Sequence, residues 1–203
     1  MSTLLKNATI IDAESPYHHQ KKDILISNGK LEKIANSILK KDNYTIVDLE
    51  NLHVSCGWFD TSVSFGEPGF EERETIKNGL QVAAKSGFTS IAVNANTNPI
   101  IDSKSDVEFL INKAFNSAVK LHPIAALTKE SKGIELAELF DMKQSGAVAF
   151  GDYNKPIEND NLMKIALLYV QNFDGLVLSF PKNNAIAGEG IANEGVNSTK
   201  LGL

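Results

Sequence analysis

The segment from Trp58 to Phe70 reads W-F-D-T-S-V-S-F-G-E-P-G-F. A β-type run through Asp60, two alternate residues on one face, and then a Gly-Glu-Pro-Gly turn have the form of a metal-binding strand end. A metal site would fill the alternate positions with imidazoles; here they are Ser62 and Ser64. Neutral hydroxyls are poor ligands for a divalent transition metal at neutral pH. The segment has the layout of a catalytic strand end without the donors a metal needs.

The remaining candidate groups are sparse. His18 and His19 are adjacent in a polar stretch and read as a solvated loop. His53 and His122 open β-type runs, and strand starts lie opposite the usual active site of a βα fold. No His-x-His, His-x-x-His or Cys-x-x-Cys spacing occurs, so the motif case for zinc is weak. The C-terminal ends of the expected strands carry Ser62 and Ser64, Asn94 and Asn96, Thr128, Asp152, then Ser179 and Phe180. Asp152 is the one carboxylate among them, a ligand or a loop cap. The run Asn94-Ala95-Asn96-Thr97-Asn98-Pro99 is an amide cluster suited either to an amide or carboxylate substrate or to an Asx turn. No paired carboxylates, Ser-His-Asp set or phosphate-cradling glycine loop is evident. Gly188-Glu189-Gly190 reads as loop.

The elements that must position these groups fall into two grammars. The first fifty residues alternate short β-type runs (Leu4-Leu5, Ala8 to Ile11, Ile24 to Ile26, Ile46 to Leu49) with turn residues, a small module of about four strands. Asn28-Gly29 between apolar runs predicts a hairpin. From residue 53 the pattern becomes strand, loop, helix. Expected strands are Val54 to Val63, Thr89 to Ala95, Leu121 to Leu127, Ala147 to Asp152 and Gly175 to Phe180, mostly continuous apolar runs as in parallel sheets. Helical spacing joins Ile76, Leu80, Ala83 and Ala84; Val107, Leu110, Ile111, Ala114, Phe115 and Ala118; and Leu162, Ile165, Ala166 and Tyr169. Asp102-Ser103 and Glu158-Asn159-Asp160 are N-cap candidates, with Gly87 and Gly146 as stops. The repeat suits a doubly wound sheet or a (β/α)8 barrel. A complete barrel needs roughly 250 residues, so the chain is either an open α/β sheet or the front of a larger barrel.

Bulk composition narrows the partners. The chain has 203 residues, 42% hydrophobic and 22% charged, with a net charge of -5 and no long basic run, which disfavours nucleic acid and anionic membrane. A single cysteine, Cys56, fits a reducing compartment. No secretion signal or membrane-length apolar stretch is apparent, so the expected location is cytoplasmic.

The run Val54 to Asp60, followed by Glu67-Pro68-Gly69-Phe70-Glu71 and Glu74-Thr75, resembles the dihydroorotases of the amidohydrolase superfamily. Gly87-Phe88-Thr89-Ser90, Asn96 to Pro99, Gly146 to Phe150 and Asn193-Glu194-Gly195 continue the match. The resemblance implies an α/β fold: the N-terminal portion of a (β/α)8 TIM-like barrel over residues 53–203. Before it, over residues 1–52, comes a small β-sandwich module, and both are incomplete. It also implies site positions. The two first-strand histidine ligands fall on Ser62 and Ser64, the substrate-gripping arginine on Gly66, and the substrate asparagine on Asn96. The bridging carboxylate falls on Asp152 and the histidine ending the fifth strand on Phe180. A further histidine and the general-base aspartate would lie past Leu203.

The family reaction closes carbamoyl aspartate to dihydroorotate, reversibly, using a metal-bound hydroxide. With three ligand positions and the arginine replaced, no catalytic residue and no metal are expected, with Asp152 and Asn96 as vestiges. The leading expectation is a non-catalytic structural or regulatory subunit. Inactive chains of this kind associate with aspartate transcarbamoylase, so that enzyme or a homo-oligomer is the implied partner. The alternatives are an active cyclic amidohydrolase holding zinc through unrecognised ligands, and a metal-free small-molecule binding module. A half barrel would also expose an unpaired strand edge and an apolar inner face, and is not expected to be stable alone.

Overall fold

The structure, a computed structural model, describes residues 2–188 and 190–202 and divides after Gly57 into two compact units. Glu189 of the expected Gly-Glu-Gly loop lies outside the described residues.

The first unit holds one five-stranded sheet. β1 (Ser2–Ile11) pairs antiparallel with β2 (Lys21–Ser27), which pairs with β3 (Lys30–Ala35); β4 (Tyr44–Val47) and β5 (His53–Ser55) each lie parallel to β1. The Asn28-Gly29 hairpin forms as the sequence predicts. Both turn residues have positive φ, 51° and 75°, the geometry that matches strand twist in a two-residue loop. Leu4-Leu5 and Ala8 to Ile11 are not separate strands but one, bulged between Leu5 and Ala8. The bulge brings Lys6 and the amide of Asn7 onto Asp23, a fully buried carboxylate. Burial alone would raise the Asp23 pKa. The bond from Lys6, the amides of Asn7 and Ile38 and the lysine's charge outweigh it, and hold it below the ordinary carboxylate range.

The second unit is a parallel sheet in the order β6 (Trp58–Val63), β7 (Phe88–Val93), β8 (Lys120–Ala125), β9 (Ala149–Phe150). Helices α1 (Ile76–Lys85), α2 (Lys104–Lys113) and α3 (Leu139–Gln144) connect successive strands, and α4 (Asp160–Val170) follows β9; the short α5 (Asn184–Ala187) and α6 (Val196–Leu201) come later. At the start of α2 Asp106 Oδ2 accepts from Ser103 N at 3.1 Å and from the Ser103 hydroxyl at 2.6 Å, and the Asn159 side chain accepts from Leu162 N at 3.1 Å to cap α4. Gly87 and Gly146 follow the ends of α1 and α3 with φ of 91° and 107°, the left-handed stop that glycine adopts without penalty.

Four expectations are corrected. The run Val54 to Val63 is not one strand: it breaks at Cys56-Gly57, and β5 joins the sheet of the first unit. The run Ala147 to Asp152 supplies only the two-residue β9. Gly175 to Phe180 contributes a single bridge, Val177 to Phe150, framed by Phe150 N to Leu176 O at 2.9 Å and Leu178 N to Phe150 O at 2.8 Å. The helix expected through Ala118 stops at Lys113. Asn116 turns left-handed (φ 62°) and Phe115 is 78% exposed, so the apolar spacing there is not read out as helix.

The sheet has two unlike faces. On the helix side Ile91, Val93, Leu121, Ala125 and Phe150 pack with Ile76, Leu80, Val107, Leu110, Leu139, Met142, Ala166 and Val170 in one buried core. On the other side Ala92, Ile124 and Ala149 form only a small cluster. Phe59, Thr61, His122, Leu176 and Leu178 join them around an open apolar hollow of about 340 Å³.

Candidate functional site

The polar groups singled out by the sequence gather at the C-terminal ends of the strands, and a bulge decides how they are aimed. Simple alternation from Phe59 and Thr61 would put Val63 on the open face. The pairing of β6 with β7 instead slips between Asp60 and Val63, where Asp60 Oδ1 accepts from Ser62 N at 3.1 Å. Val63 and Phe65 thereby join the helix-side core, while Ser62 and Ser64 meet the end of β7. Bulges of this kind commonly re-aim side chains at strand ends.

Each serine is matched to an asparagine. Asn94 Nδ2 donates to Ser62 Oγ at 3.1 Å and to the carbonyl of Val63 at 3.1 Å. Asn96 Nδ2 donates to Ser64 Oγ at 2.7 Å. Asn94 is 4% exposed, and Asn96 Oδ1 is a buried acceptor without a partner. The amide cluster thus ties the end of β7 to the end of β6. Thr97 Oγ1 closes the next turn by donating to the Pro99 carbonyl at 2.7 Å.

Gly66 sits in the turn that follows. Phe70 N donates to Gly66 O at 2.9 Å, and a Cβ on Gly66 would stand 1.8 Å from the Phe70 carbonyl oxygen. No side chain fits at this position with the loop as it is folded. The neighbouring Gly69 (φ 92°) is held just as closely, its would-be Cβ 1.9 Å from the Asn98 carbonyl oxygen. Asn98 N in turn bonds Pro68 O at 3.0 Å. The two loops are therefore interlocked through backbone.

Asp152 lies apart from the serines in its bonding. Its Oδ1 accepts from Leu127 N at 2.9 Å and Thr128 N at 3.0 Å, and its Oδ2 takes the Thr128 hydroxyl. Thr128 Oγ1 also accepts from Gly133 N at 2.9 Å. The carboxylate is 4% exposed and its bonds staple the end of β9 to the end of β8. Phe180 is half-buried, beyond the bridge at Val177. Among the described residues no group of three or more His, Cys, Asp or Glu side chains is placed to hold a metal ion.

The histidines are dispersed. His18 Nδ1 accepts from Asp12 N at 3.1 Å, and His53 Nδ1 lies 2.6 Å from the Asn51 carbonyl. His122 is not at a strand start but inside β8 on the open face, its ring edge-on to Phe59 at 5.7 Å. Burial, aided by the charge of Lys120, holds its pKa below the ordinary histidine value.

One group of consequence carried no sequence signal of its role. Glu67, 8% exposed, accepts from Ile76 N at 2.9 Å at the start of α1 and from Lys113 at 2.8 Å on α2. Burial would raise its pKa, but the Lys113 bond, the Ile76 amide and the Lys113 charge together lower it. Its place in the Gly-Glu-Pro-Gly turn marks it as loop, and only the folded chain shows a brace between two helices.

Comparison with known proteins agrees with this architecture. The family model described as "Dihydro-orotase-like" matches residues 53–202. A dihydroorotase of Citrifermentans bemidjiense is 38% identical over 204 residues, covering 100% of this chain and 48% of the relative. A dihydroorotase of Pelotomaculum thermopropionicum is also 38% identical, covering 100% and 47%. The chain thus spans about half the length of the curated relatives it matches. Among solved structures, the L-hydantoinase (dihydropyrimidinase) of Arthrobacter aurescens superposes with a TM-score of 0.70 at 17% identity, covering 86% of this chain and 39% of that one. A dihydroorotase crystal structure gives 0.59 at 12% identity, covering 87% and 50%. These likenesses carry the fold: the parallel sheet and its helices share the architecture of part of those longer chains. By the span of the family match and by its identity to these relatives, the chain belongs to the dihydroorotase-like family.

Proposed function

We propose that this chain is a dihydroorotase-like component of pyrimidine biosynthesis that does not carry out metal-dependent hydrolysis. In this reading it serves in the cytoplasm as a structural or regulatory subunit. The observation that carries the reading is the bonding of the groups at the strand ends. Ser62 and Ser64 are hydroxyls engaged by Asn94 and Asn96, and Asp152 spends both oxygens on Leu127 and Thr128. Gly66 has no room for a side chain. A catalytic zinc needs three imidazole, thiolate or carboxylate ligands and an open position. The donor set here, two hydroxyls and one carboxylate that already accepts three hydrogen bonds, does not fit that ion, and no hydrolytic step is derived through it.

The relatives that share the chain's sequence bear the name dihydroorotase, which makes an active cyclic amidohydrolase the reading to test against. Metal analysis of the purified full protein, with assay of dihydroorotate turnover, decides between them. The expected result is less than one-tenth equivalent of zinc and no turnover; stoichiometric zinc with turnover overturns the proposal. For the partner we propose aspartate transcarbamoylase or a second copy of this chain. Co-purification from the native cell should return one of these, and a monomer with neither would sink this part of the reading. No helix among the described residues is long and apolar enough to cross a membrane.

A further inference from the structure

The two ends of the parallel sheet leave different surfaces uncovered. At the β6 end, β6 and α1 border an open hollow of about 190 Å³ whose walls include Val63, Phe65, Val82 and Ala83. Its charged lining is two carboxylates, Asp60 and Glu74, with no cation. Each accepts a hydrogen bond through one oxygen, Asp60 from Ser62 N and Glu74 from Asn78 Nδ2. Among the described residues neither forms an ion pair. At the β9 end, α4 turns Ala166 and Val170 into the core and leaves Ile165, Leu167, Leu168 and Tyr169 between 42% and 55% exposed. Lys164 lies three and four residues before Leu167 and Leu168, beside them on the helix surface. It too forms no ion pair among the described residues. The one acid of α4, Asp160, is in its first turn.

An apolar row with an unpaired ammonium thus stands at one end of the sheet, and an apolar hollow with unpaired carboxylates at the other. Three strand spacings, roughly 14 Å, separate β6 from β9, so the row and the hollow of one copy do not meet. Those of two copies do, and a twofold makes both contacts at once and closes the assembly. Half-exposed side chains of this size offer on the order of 80–100 Å² each. The row supplies about 300–400 Å², and row plus hollow about 600–800 Å² per copy, which reaches the size of a specific interface. Opposite charges on the two surfaces fix the register. We propose that a second copy of this chain docks here, the α4 row of each copy seated in the β6–α1 hollow of the other, with Lys164 facing Asp60 and Glu74. This rests on the second-copy branch of the partner reading above and is independent of whether metal chemistry has been lost.

Sedimentation velocity of the full protein over a concentration series tests this, and the expected species has the mass of two copies. Leu168→Asp sets a charge in the row against the two acids, and Lys164→Glu reverses the charge between them. Each should weaken the dimer about tenfold or more, with the Lys164→Glu effect shrinking as salt is added. Phe115→Asp, at an equally exposed apolar residue beside α2 and away from both ends, should leave it unchanged. The altered residues are exposed, so far-UV circular dichroism of the variants should match the unaltered protein and separate lost association from lost fold. A dimer insensitive to Leu168→Asp and Lys164→Glu overturns this interface while leaving the second-copy reading in place. Assemblies that grow beyond two copies overturn the twofold closure. A monomer at every concentration, its row covered by another protein or by a further segment of chain, overturns both the interface and the second-copy reading.

Discussion

The two faces of the parallel sheet are built from the same strands yet differ in completeness. On the helix side β7, β8 and β9 contribute residues that are all but inaccessible, among them Val93, Ala125 and Phe150 at 0%. On the other side Phe59 is 53% and Leu176 57% exposed around an open hollow. In a closed barrel that inner face is filled by layered side chains. The helix side holds the large buried core of the unit, whereas the other side leaves apolar side chains exposed around the hollow. The polar groups at the strand ends sit at the boundary. They are knitted together strand to strand: serine to asparagine between β6 and β7, Asp152 to Thr128 between β9 and β8.

The largest test of this contrast is a pair of truncations. Phe150→Ala removes a fully buried ring from the helix-side core and should cost about 3–5 kcal/mol, whereas Phe59→Ala on the open face should cost less than about 1 kcal/mol. Urea unfolding of both variants measures the difference, and equal losses would mean the inner face is already packed. At the boundary, Asp152→Ala leaves two amides and a hydroxyl without their acceptor in a buried place and should cost about 3 kcal/mol. Ser64→Ala, which loses one bond at an exposed site, should cost about 0.5 kcal/mol.

Glu67→Gln addresses the helix-side brace and should cost about 1–2 kcal/mol at pH 7. Its sign with pH follows from the lowered pKa. The ionised brace contributes fully above the ordinary glutamate value, about 4.3, and is lost as pH falls through the lower folded value. The gap between Glu67→Gln and the unaltered protein should therefore close below about pH 4. The smallest effect belongs to His122 on the open face. Its depressed pKa means that protonation opposes folding, so stability is retained above about pH 6.5 and declines as pH falls below it. His122→Gln should flatten that decline, and an unchanged profile would show that the ring is freely solvated.

Where the sequence was legible, the signal was local. The Asn28-Gly29 hairpin, the caps at Ser103 and Asn159, and the stops at Gly87 and Gly146 each follow from backbone preferences of one or two residues. The succession of strands and helices after Trp58 follows from apolar periodicity. The identity of the strand-end residues, serines and a lone aspartate where a metal site needs imidazoles, was likewise readable because it is a matter of chemistry at a position. What could not be read depended on neighbours distant in the chain. Val54 to Val63 has the apolar content of one strand, but pairing of its first half with β1 and its second with β7 splits it in two. Gly175 to Phe180 has strand composition yet obtains only one bridge, because a strand needs an edge to run along and the described chain offers it two residues of β9. The bulge that turns Ser62 and Ser64 toward Asn94 and Asn96, and the amides and hydroxyl that bond Asp152, exist only once β6 to β9 lie side by side. The amino-acid sequence by itself determined which groups stand at the strand ends and that they are poor metal donors. The tertiary structure alone decided with which partners those groups spend their hydrogen bonds, since such bonds are made across strands and loops that only folding brings within 3 Å.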